Sequence, residues 1–275
     1  MPELPEVETI ANGLHRRVAG DIIESIWLGE KPEPLKSPAE EIARAVENTR
    51  IERVRRVGKH ITFDLRPVRD KQHNQSPRQW IVHLGMTGNM LVLDHGQSAT
   101  AAKHTHAIAR LRSGRELHFV DPRRLGRLWV THNFAGPGTE PLTISPQDFV
   151  QLFHKRKTPI KAALLNQKLL HGVGNIYADE SLFRAGIRPT RRASSLTRAE
   201  LARLHATVQE VLREAIELGG SSVSDYVNES GEEGSFQFQH RVYLRTGEPC
   251  LVCGTPIKRV LVGGRGTHYC PKCQR

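Results

Sequence analysis

The chain has 275 residues, 38% of them hydrophobic, and carries 40 Lys+Arg against 29 Asp+Glu, a net charge of +11. That length suits about two domains and is ample for globular cores. No apolar run approaches a membrane span, and the acidic N-terminus has no signal-peptide pattern, so a soluble cytosolic protein is expected. The positive balance points to a polyanionic partner, nucleic acid before an anionic membrane.

The chain opens Met1-Pro2-Glu3-Leu4-Pro5-Glu6. Removal of Met1 leaves Pro2 with a secondary amine. An α-amine titrates near about 7.7–8.0, against about 10.4 for lysine, so a useful fraction is unprotonated at neutral pH. Pro2 then reads either as a nucleophile with Glu3 beside it to move protons, or as a frayed terminus. Val7, Ile10, Ala11, Leu14 and Val18 recur at helical spacing from Glu6 to Ala19. Such a helix aims its positive end at Pro2 and Glu3, which favours the free amine. Glu6 reads equally as a cap of that helix or as a chemical group.

Short alternating runs follow: Ile22–Leu28, Ile51–Val57, Ile61–Leu65, Trp80–Leu84, His106–Leu111, Glu116–Val120 and Arg127–Val130, broken by a short helix over Ala39–Glu47. Even spacing predicts a β-sandwich or barrel. Residues 66–79 are polar and predict a long hairpin loop. Three turns draw attention. Lys59 follows Gly58 in a basic stretch, a candidate phosphate contact or a solvated strand edge. Met86 sits between glycines, either buried or exposed as a wedge for stacked bases. Asp121-Pro122-Arg123-Arg124-Leu125-Gly126 presents two arginines and an apolar tip, and Asp121 can fix that turn by pairing with an arginine.

Residues 131–147 are rich in Gly and Pro and predict a linker. Helices are predicted over Phe149–Phe153, Ile160–Leu170, Ile176–Ala185 and Thr197–Leu218, the last opened by a Thr197/Glu200 capping box and closed by Gly219-Gly220. Before the third helix lies His171-Gly172-Val173-Gly174-Asn175, where glycines expose N–H groups at a positive helix end, and Asn175 can cap, bind phosphate or both. Residues 221–237 are polar and predict a flexible loop. The four cysteines fall as Cys250-x2-Cys253-x16-Cys270-x2-Cys273, the spacing of a zinc ribbon. Four thiolates complete a tetrahedron and leave no water position, so one structural Zn2+ is expected. Between the pairs, Arg265 tips a Gly-rich hairpin, suited to phosphate or an ordinary surface turn.

Together PELPEVET, HLGMTG, the DPRR turn, KTPIKAALLNQK followed by VGNIYADESLF, GEPCLVCGTPI and RGTHYCPKCQ resemble the bacterial formamidopyrimidine-DNA glycosylase (Fpg/MutM) family nearly end to end. The resemblance implies an α+β two-domain fold: an N-terminal β-sandwich with flanking helices over 1–133, a linker over 134–147, a helix–two-turn–helix domain with a base-recognition loop over 148–237, and a four-cysteine zinc ribbon over 238–275. It implies a monomeric base-excision repair enzyme, cytoplasmic and associated with the nucleoid. Its partner is double-stranded DNA carrying oxidised bases or abasic sites. Pro2 attacks C1′ of the damaged nucleotide, Glu3 moves protons, and the iminium supports β,δ-elimination. Lys59, Asn175 and Arg265 match the residues holding phosphates around the flipped nucleotide, with Lys59 and Arg265 counted among the catalytic set. Met86, Arg123 and Leu125 match those filling the vacated space, and Glu6, Tyr177 and loop 221–237 match DNA- or base-contacting parts. Three features depart from the family: Leu125 replaces a common phenylalanine, Gly234-Ser235-Phe236 replaces Gly-Tyr-Phe, and loop 66–79 is long. The competing expectations are an endonuclease VIII-like glycosylase for oxidised pyrimidines and a non-catalytic zinc-containing DNA-binding protein.

Overall fold

The computed structural model describes residues 1–68, 78–94, 96, 103–223 and 226–275. Most of the expected hairpin loop 66–79 therefore lies outside the described residues. Two compact units divide the chain: Met1–Ala135 with Gly219–Gly234, and Gly136–Leu218 with Ser235–Arg275.

The first unit begins with α1 (Leu4–Val18), whose proline and Glu6 lie in its first turn and whose His15, Arg16 and Arg17 lie in its last. That distribution complements the helix dipole. Its stripe of Val7, Ile10, Ala11, Leu14 and Val18 is wholly buried. The strands are β1 (Ile22–Leu28), β2 (Thr49–Val57), β3 (His60–Pro67), β4 (Arg78–His83), β5 (Asn89–Leu93), β6 (Thr105–Leu111), β7 (Glu116–Val120) and β8 (Arg127–Thr131), with α2 (Ala39–Val46) between β1 and β2. Strand β5 has no counterpart among the sequence-predicted strands; its five residues follow directly on the Gly-rich turn at Met86.

All eight strands form one ladder in the order β5-β7-β6-β1-β2-β3-β4-β8, antiparallel at every pairing. The ladder folds over on itself. Strand β7 is five places from β4, yet a Cβ built on Gly126 would stand 2.6 Å from Cζ of Phe119 on β7 and 2.8 Å from the His83 carbonyl on β4. One apolar core consequently joins α1 to both halves of the sandwich, from Met90, Leu117 and Phe119 to Ile61, Phe63, Trp80 and Leu128. Phe63 and Trp80 stack there at 4.9 Å between ring centroids. Neither outer strand is bare. Leu128 of β8 exchanges backbone hydrogen bonds with Pro34 (2.7 Å) and Lys36 (2.8 Å), and Val92 of β5 donates to the Glu229 carbonyl (3.0 Å).

The second unit holds α3 (Pro146–Phe153), α4 (Ile160–Leu164), α5 (Asn175–Arg184), α6 (Arg198–Glu217) and a hairpin of β9 (Lys258–Val262) and β10 (Arg265–Tyr269). The Thr197/Glu200 capping box opens α6 as expected. Arg191 beside Glu200 holds that carboxyl down at a pKa of about 2. Helix α4 stops after one turn rather than reaching Leu170. Asn166 and Gln167 end it by turning their side chains on the backbone: Lys168 N–H donates to Asn166 Oδ1 (3.0 Å), and Gln167 Nε2 donates to the carbonyls of Leu165 (2.9 Å) and Val173 (2.8 Å). Residues 138–144, part of the expected linker, are built into this unit. Thr139 N–H donates to Leu169 O, His171 N–H to Thr139 O, and Ile144 is buried with its carbonyl accepting from His205 Nε2 at 2.8 Å. Glu180 on α5 accepts from the N–H groups of Arg241, Val242 and Tyr243 at 2.9–3.0 Å, fixing the entry to the ribbon; burial pushes its pKa up against those three donors. No helix among the described residues is long and apolar enough to cross a membrane.

Candidate active site

The sequence-predicted site residues divide between the units. In the first, Pro2, Glu3 and Glu6 stand together at the positive end of α1. Pro2 is buried behind an exposed Met1, and Glu3 and Glu6 are 5% and 2% exposed. Glu3 and Glu6 form a reciprocal capping box. Glu6 is a brace as well as a cap. Its Oε2 accepts from Glu3 N–H at 2.7 Å, and its Oε1 accepts from Ser221 N–H at 2.8 Å. One carboxylate thus ties the terminus to the segment after Gly219-Gly220.

Lys59 occupies the second position of a two-residue hairpin between β2 and β3. Gly58 precedes it with φ +62°, which the first central position of a II′ turn requires. Arg56 ties this turn to α1, with Nε on Glu8 (2.5 Å) and Nη1 on the Gly58 carbonyl (3.1 Å). Across β3, His60 pairs with His83, the residue before the Leu84–Gly88 turn that carries Met86. Burial, then the charges of Lys59, Arg127 and Lys36, push the His83 pKa down. A neutral ring suits its role, since Nδ1 accepts from Gly85 N–H at 3.3 Å.

The Met86 turn and the Arg123/Leu125 turn are one construction. Gly85, at φ +66°, lies so close to the second turn that a Cβ there would stand 2.5 Å from Leu125 C and 2.6 Å from Gly126 N. Asp121 knots the two turns and is fully buried. Its Oδ1 accepts from Thr87 Oγ1 (2.5 Å) and Arg123 N–H (3.2 Å), and its Oδ2 from Gly126 N–H (2.7 Å). Asp121 therefore fixes the turn through backbone donors and a threonine, not through an arginine side chain. The result is a rigid pedestal presenting Met86 (44% exposed), Leu125 (38% exposed) and Arg123. Met86 is thus the exposed alternative of the two open in sequence.

In the second unit Asn175 is the first residue of α5, after Gly174 at the N-cap. Its Nδ2 donates to the Gly266 carbonyl at 3.1 Å, so it touches the backbone beside Arg265. That hairpin is anchored from below by a buried ion pair that sequence reading did not single out. Lys161 Nζ reaches Asp179 Oδ1 (2.7 Å), the Gly266 carbonyl (3.0 Å) and Thr267 Oγ1 (2.9 Å). Asp179 Oδ2 takes His268 N–H (2.9 Å) and faces His268 Nδ1 (3.2 Å). Lys161 sits in the KTPIK motif, and a lysine in the apolar stripe of a short helix was the available signal. Arg265 itself is exposed, with no partner for its guanidinium among the described residues. Tyr177 lies elsewhere: it is wholly buried, its ring 5.5 Å from that of Phe236.

The four cysteines converge, their sulfurs within 4.8 Å of one another. Cys250–Cys273 and Cys253–Cys270 stand 3.9 and 3.5 Å apart. Sulfurs about 2.3 Å from one tetrahedral zinc lie about 3.8 Å apart, so the cluster fits that ion and not a disulfide pair. Cys250 and Cys270 also join Phe183, Val242 and Ile257 in a small core that seats the ribbon on α5.

Three family models cover the chain: the formamidopyrimidine-DNA glycosylase N-terminal domain over residues 1–128, its H2TH domain over 136–227, and the zinc finger found in FPG and IleRS over 247–275. The chain is 42% identical to the formamidopyrimidine-DNA glycosylase of Solibacter usitatus, each chain covered in full. It belongs to the formamidopyrimidine-DNA glycosylase family. Another member, from Listeria innocua, is 39% identical over the whole of both chains. Among solved structures the fold is similar to MutM (Fpg) from Thermus thermophilus, at TM-score 0.84 and 40% identity, covering 99% of this chain and 98% of that one. A Lactococcus lactis FPG mutant in complex with Fapy-dG-containing DNA matches at TM-score 0.87 and 31% identity, with both chains fully covered. Family membership accounts for the two-domain α+β fold and for a single structural zinc in the ribbon.

Proposed function

We propose that the protein is a bifunctional DNA glycosylase and AP lyase of base-excision repair, acting on oxidised purines such as 8-oxoguanine and formamidopyrimidines. The observation that carries this reading is Pro2 at the positive end of a buried helix, with Glu3 and Glu6 locked beside it. While Met1 is attached, the Pro2 nitrogen is an amide and has no nucleophilic lone pair. Methionine removal is therefore part of the mechanism.

The freed secondary amine attacks C1′ of the lesion nucleotide. The N–C1′ bond forms as the glycosidic bond breaks, and the base leaves with its electron pair and takes up a proton. The first product is an aminal that still carries O4′; as the amine gives up its proton the C1′–O4′ bond breaks, O4′ takes up a proton, and the iminium that results is necessarily cationic and acts as an electron sink. Loss of a C2′ proton expels the 3′ phosphate by β-elimination, and a second elimination expels the 5′ phosphate. Glu3, beside Pro2 in sequence, carries protons in these steps. C1′ cannot be reached in a stacked duplex, so the nucleotide must be everted. The Met86/Leu125 pedestal suits the vacated space, with Arg123 facing the orphaned base. Lys59, Asn175 and Arg265 offer cationic or N–H donors to flanking phosphates. The Tyr177 side chain, expected to touch DNA or the everted base, is wholly buried and forms no part of this interface. Zinc held by Cys250, Cys253, Cys270 and Cys273 would have four thiolates and no open position, so it would brace the Arg265 hairpin and take no part in the chemistry. Repair of chromosomal DNA in the cytoplasm is the setting this activity implies.

The test is borohydride trapping on a duplex with 8-oxoguanine opposite cytosine, followed by peptide mapping. The expected result is a covalent adduct on Pro2. An adduct only with thymine glycol would move the enzyme to oxidised pyrimidines. No adduct with any lesion, from protein shown to begin at Pro2, would overturn the enzymatic reading.

A further inference from the structure

Residues 219–223 and 226–234, which begin at the expected Gly219-Gly220 helix stop and run into the loop expected over 221–237, lie as a strap along one face of α1. Ser221 N–H bonds Glu6, the Tyr226 hydroxyl meets Thr9, Glu229 folds over Gly13, and Ser230 Oγ accepts from Arg17 at 3.3 Å. Helix positions 6, 9, 13 and 17 form a single stripe. Tyr226 also donates to the Gly219 carbonyl at 3.0 Å, closing the near end of the strap.

Two glycines set the register. At the near end Gly220 of the strap, at φ +82°, faces Glu6; a Cβ there would stand 2.9 Å from Glu6 Cγ and Oε1. At the far end the roles reverse. A Cβ on Gly13 of the helix would stand 2.0 Å from Glu229 Cδ and 2.1 Å from both carboxylate oxygens. Glu229 is 7% exposed, and its carbonyl accepts from Val92 N–H, so its backbone is pinned while its side chain fills the gap over Gly13. Gly13 lies within a regular helix and has no positive φ to explain it. A glycine there destabilises the helix by about 1 kcal/mol relative to alanine. Space for Glu229 is what the missing side chain provides.

We infer that Gly13 is a positioning residue for lesion recognition: it seats Glu229, and this interlock, with Gly220 on Glu6, fixes the register of the strap on α1. The inference rests on the proposed function and on the family resemblance, which implies that the loop over 221–237 contacts the everted base.

The test is Gly13→Ala in full-length protein beginning at Pro2. Alanine favours the helix, and the atoms it meets are the far end of the Glu229 side chain, which can give way without a shift of the core. Hydrogen exchange at residues 226–234 is expected to quicken about fivefold or more. Excision of 8-oxoguanine should fall about tenfold, while strand cleavage at a preformed abasic site, which has no base to read, should stay within about twofold. Glu229→Ala alone should also loosen the strap, and adding it to Gly13→Ala should cost nothing further, because the collision is gone. Unchanged exchange at 226–234 would overturn the interlock. Equal losses on both substrates would overturn the role in recognition. Failure of the wild-type protein to form the Pro2 adduct would instead reject the enzymatic reading, which the exchange measurement does not depend on.

Discussion

Asp121→Ala would strand three donors at once, the Thr87 hydroxyl and the N–H groups of Arg123 and Gly126. Each buried group left without an acceptor costs about 1–3 kcal/mol, so a loss of roughly 3 kcal/mol or more is expected in denaturant unfolding. Asp121→Asn, which keeps an acceptor, should lose less. Unfolding indistinguishable from wild type would mean the pedestal is held by other means. The residue types of this pedestal are legible in sequence, because Gly-Met-Thr-Gly and Asp-Pro-Arg-Arg are turn formers. Their union is not. Thr87 and Asp121 are 34 residues apart, and no local pattern announces that one carboxylate serves both turns.

Among elements, the junction of α4 and α5 with the β9–β10 hairpin depends on the Lys161–Asp179 pair, both 0% exposed. Lys161→Met leaves a buried carboxylate uncompensated and should destabilise the protein by roughly 3–5 kcal/mol in thermal or denaturant unfolding. The same change frees the Gly266 carbonyl and Thr267, so Arg265 should lose its fixed placement. Lys161→Met/Asp179→Leu should recover much of the stability, and a double variant no better than the single one would argue against the ion pair as the cause. Element boundaries explain where sequence reasoning stops. The α1 and α6 helices follow from long apolar stripes and a capping box. Over Leu164–Leu170 residue propensity favours helix, but Asn166 and Gln167 compete for the backbone and a double turn results. The Gly/Ser/Glu composition of 221–237 signals mobility, and only the stripe of α1 covered by residues 221–223 and 226–230 reveals a docked strap.

At the scale of the molecule, the ribbon draws its stability from a different source than the first unit. The first has one continuous apolar core. The ribbon buries only Val242, Ile257 and two cysteines against Phe183 of α5, so its fold needs the metal. One zinc per chain is expected by elemental analysis. Stripping it with a strong chelator should abolish exchange protection in residues 247–275 while leaving β1 to β8 protected, and cleavage of abasic-site DNA should fall with it. Protection of 247–275 that survives verified zinc loss would contradict this division. Cysteine spacing made the metal site legible because ribbon geometry is local.

The covering of both outer strands has a consequence for solution behaviour. Met90-Leu91-Val92-Leu93 on β5 and Leu128-Trp129-Val130 on β8 are apolar, strand-forming sequences. Left uncovered, either would offer unpaired backbone groups to a strand of another molecule, the usual seed of edge-to-edge aggregation. Pro34–Lys36 guards one edge and Glu229 the other. The strap that packs on α1 thus also covers the β5 edge, and loosening it should expose that edge to pairing with another molecule.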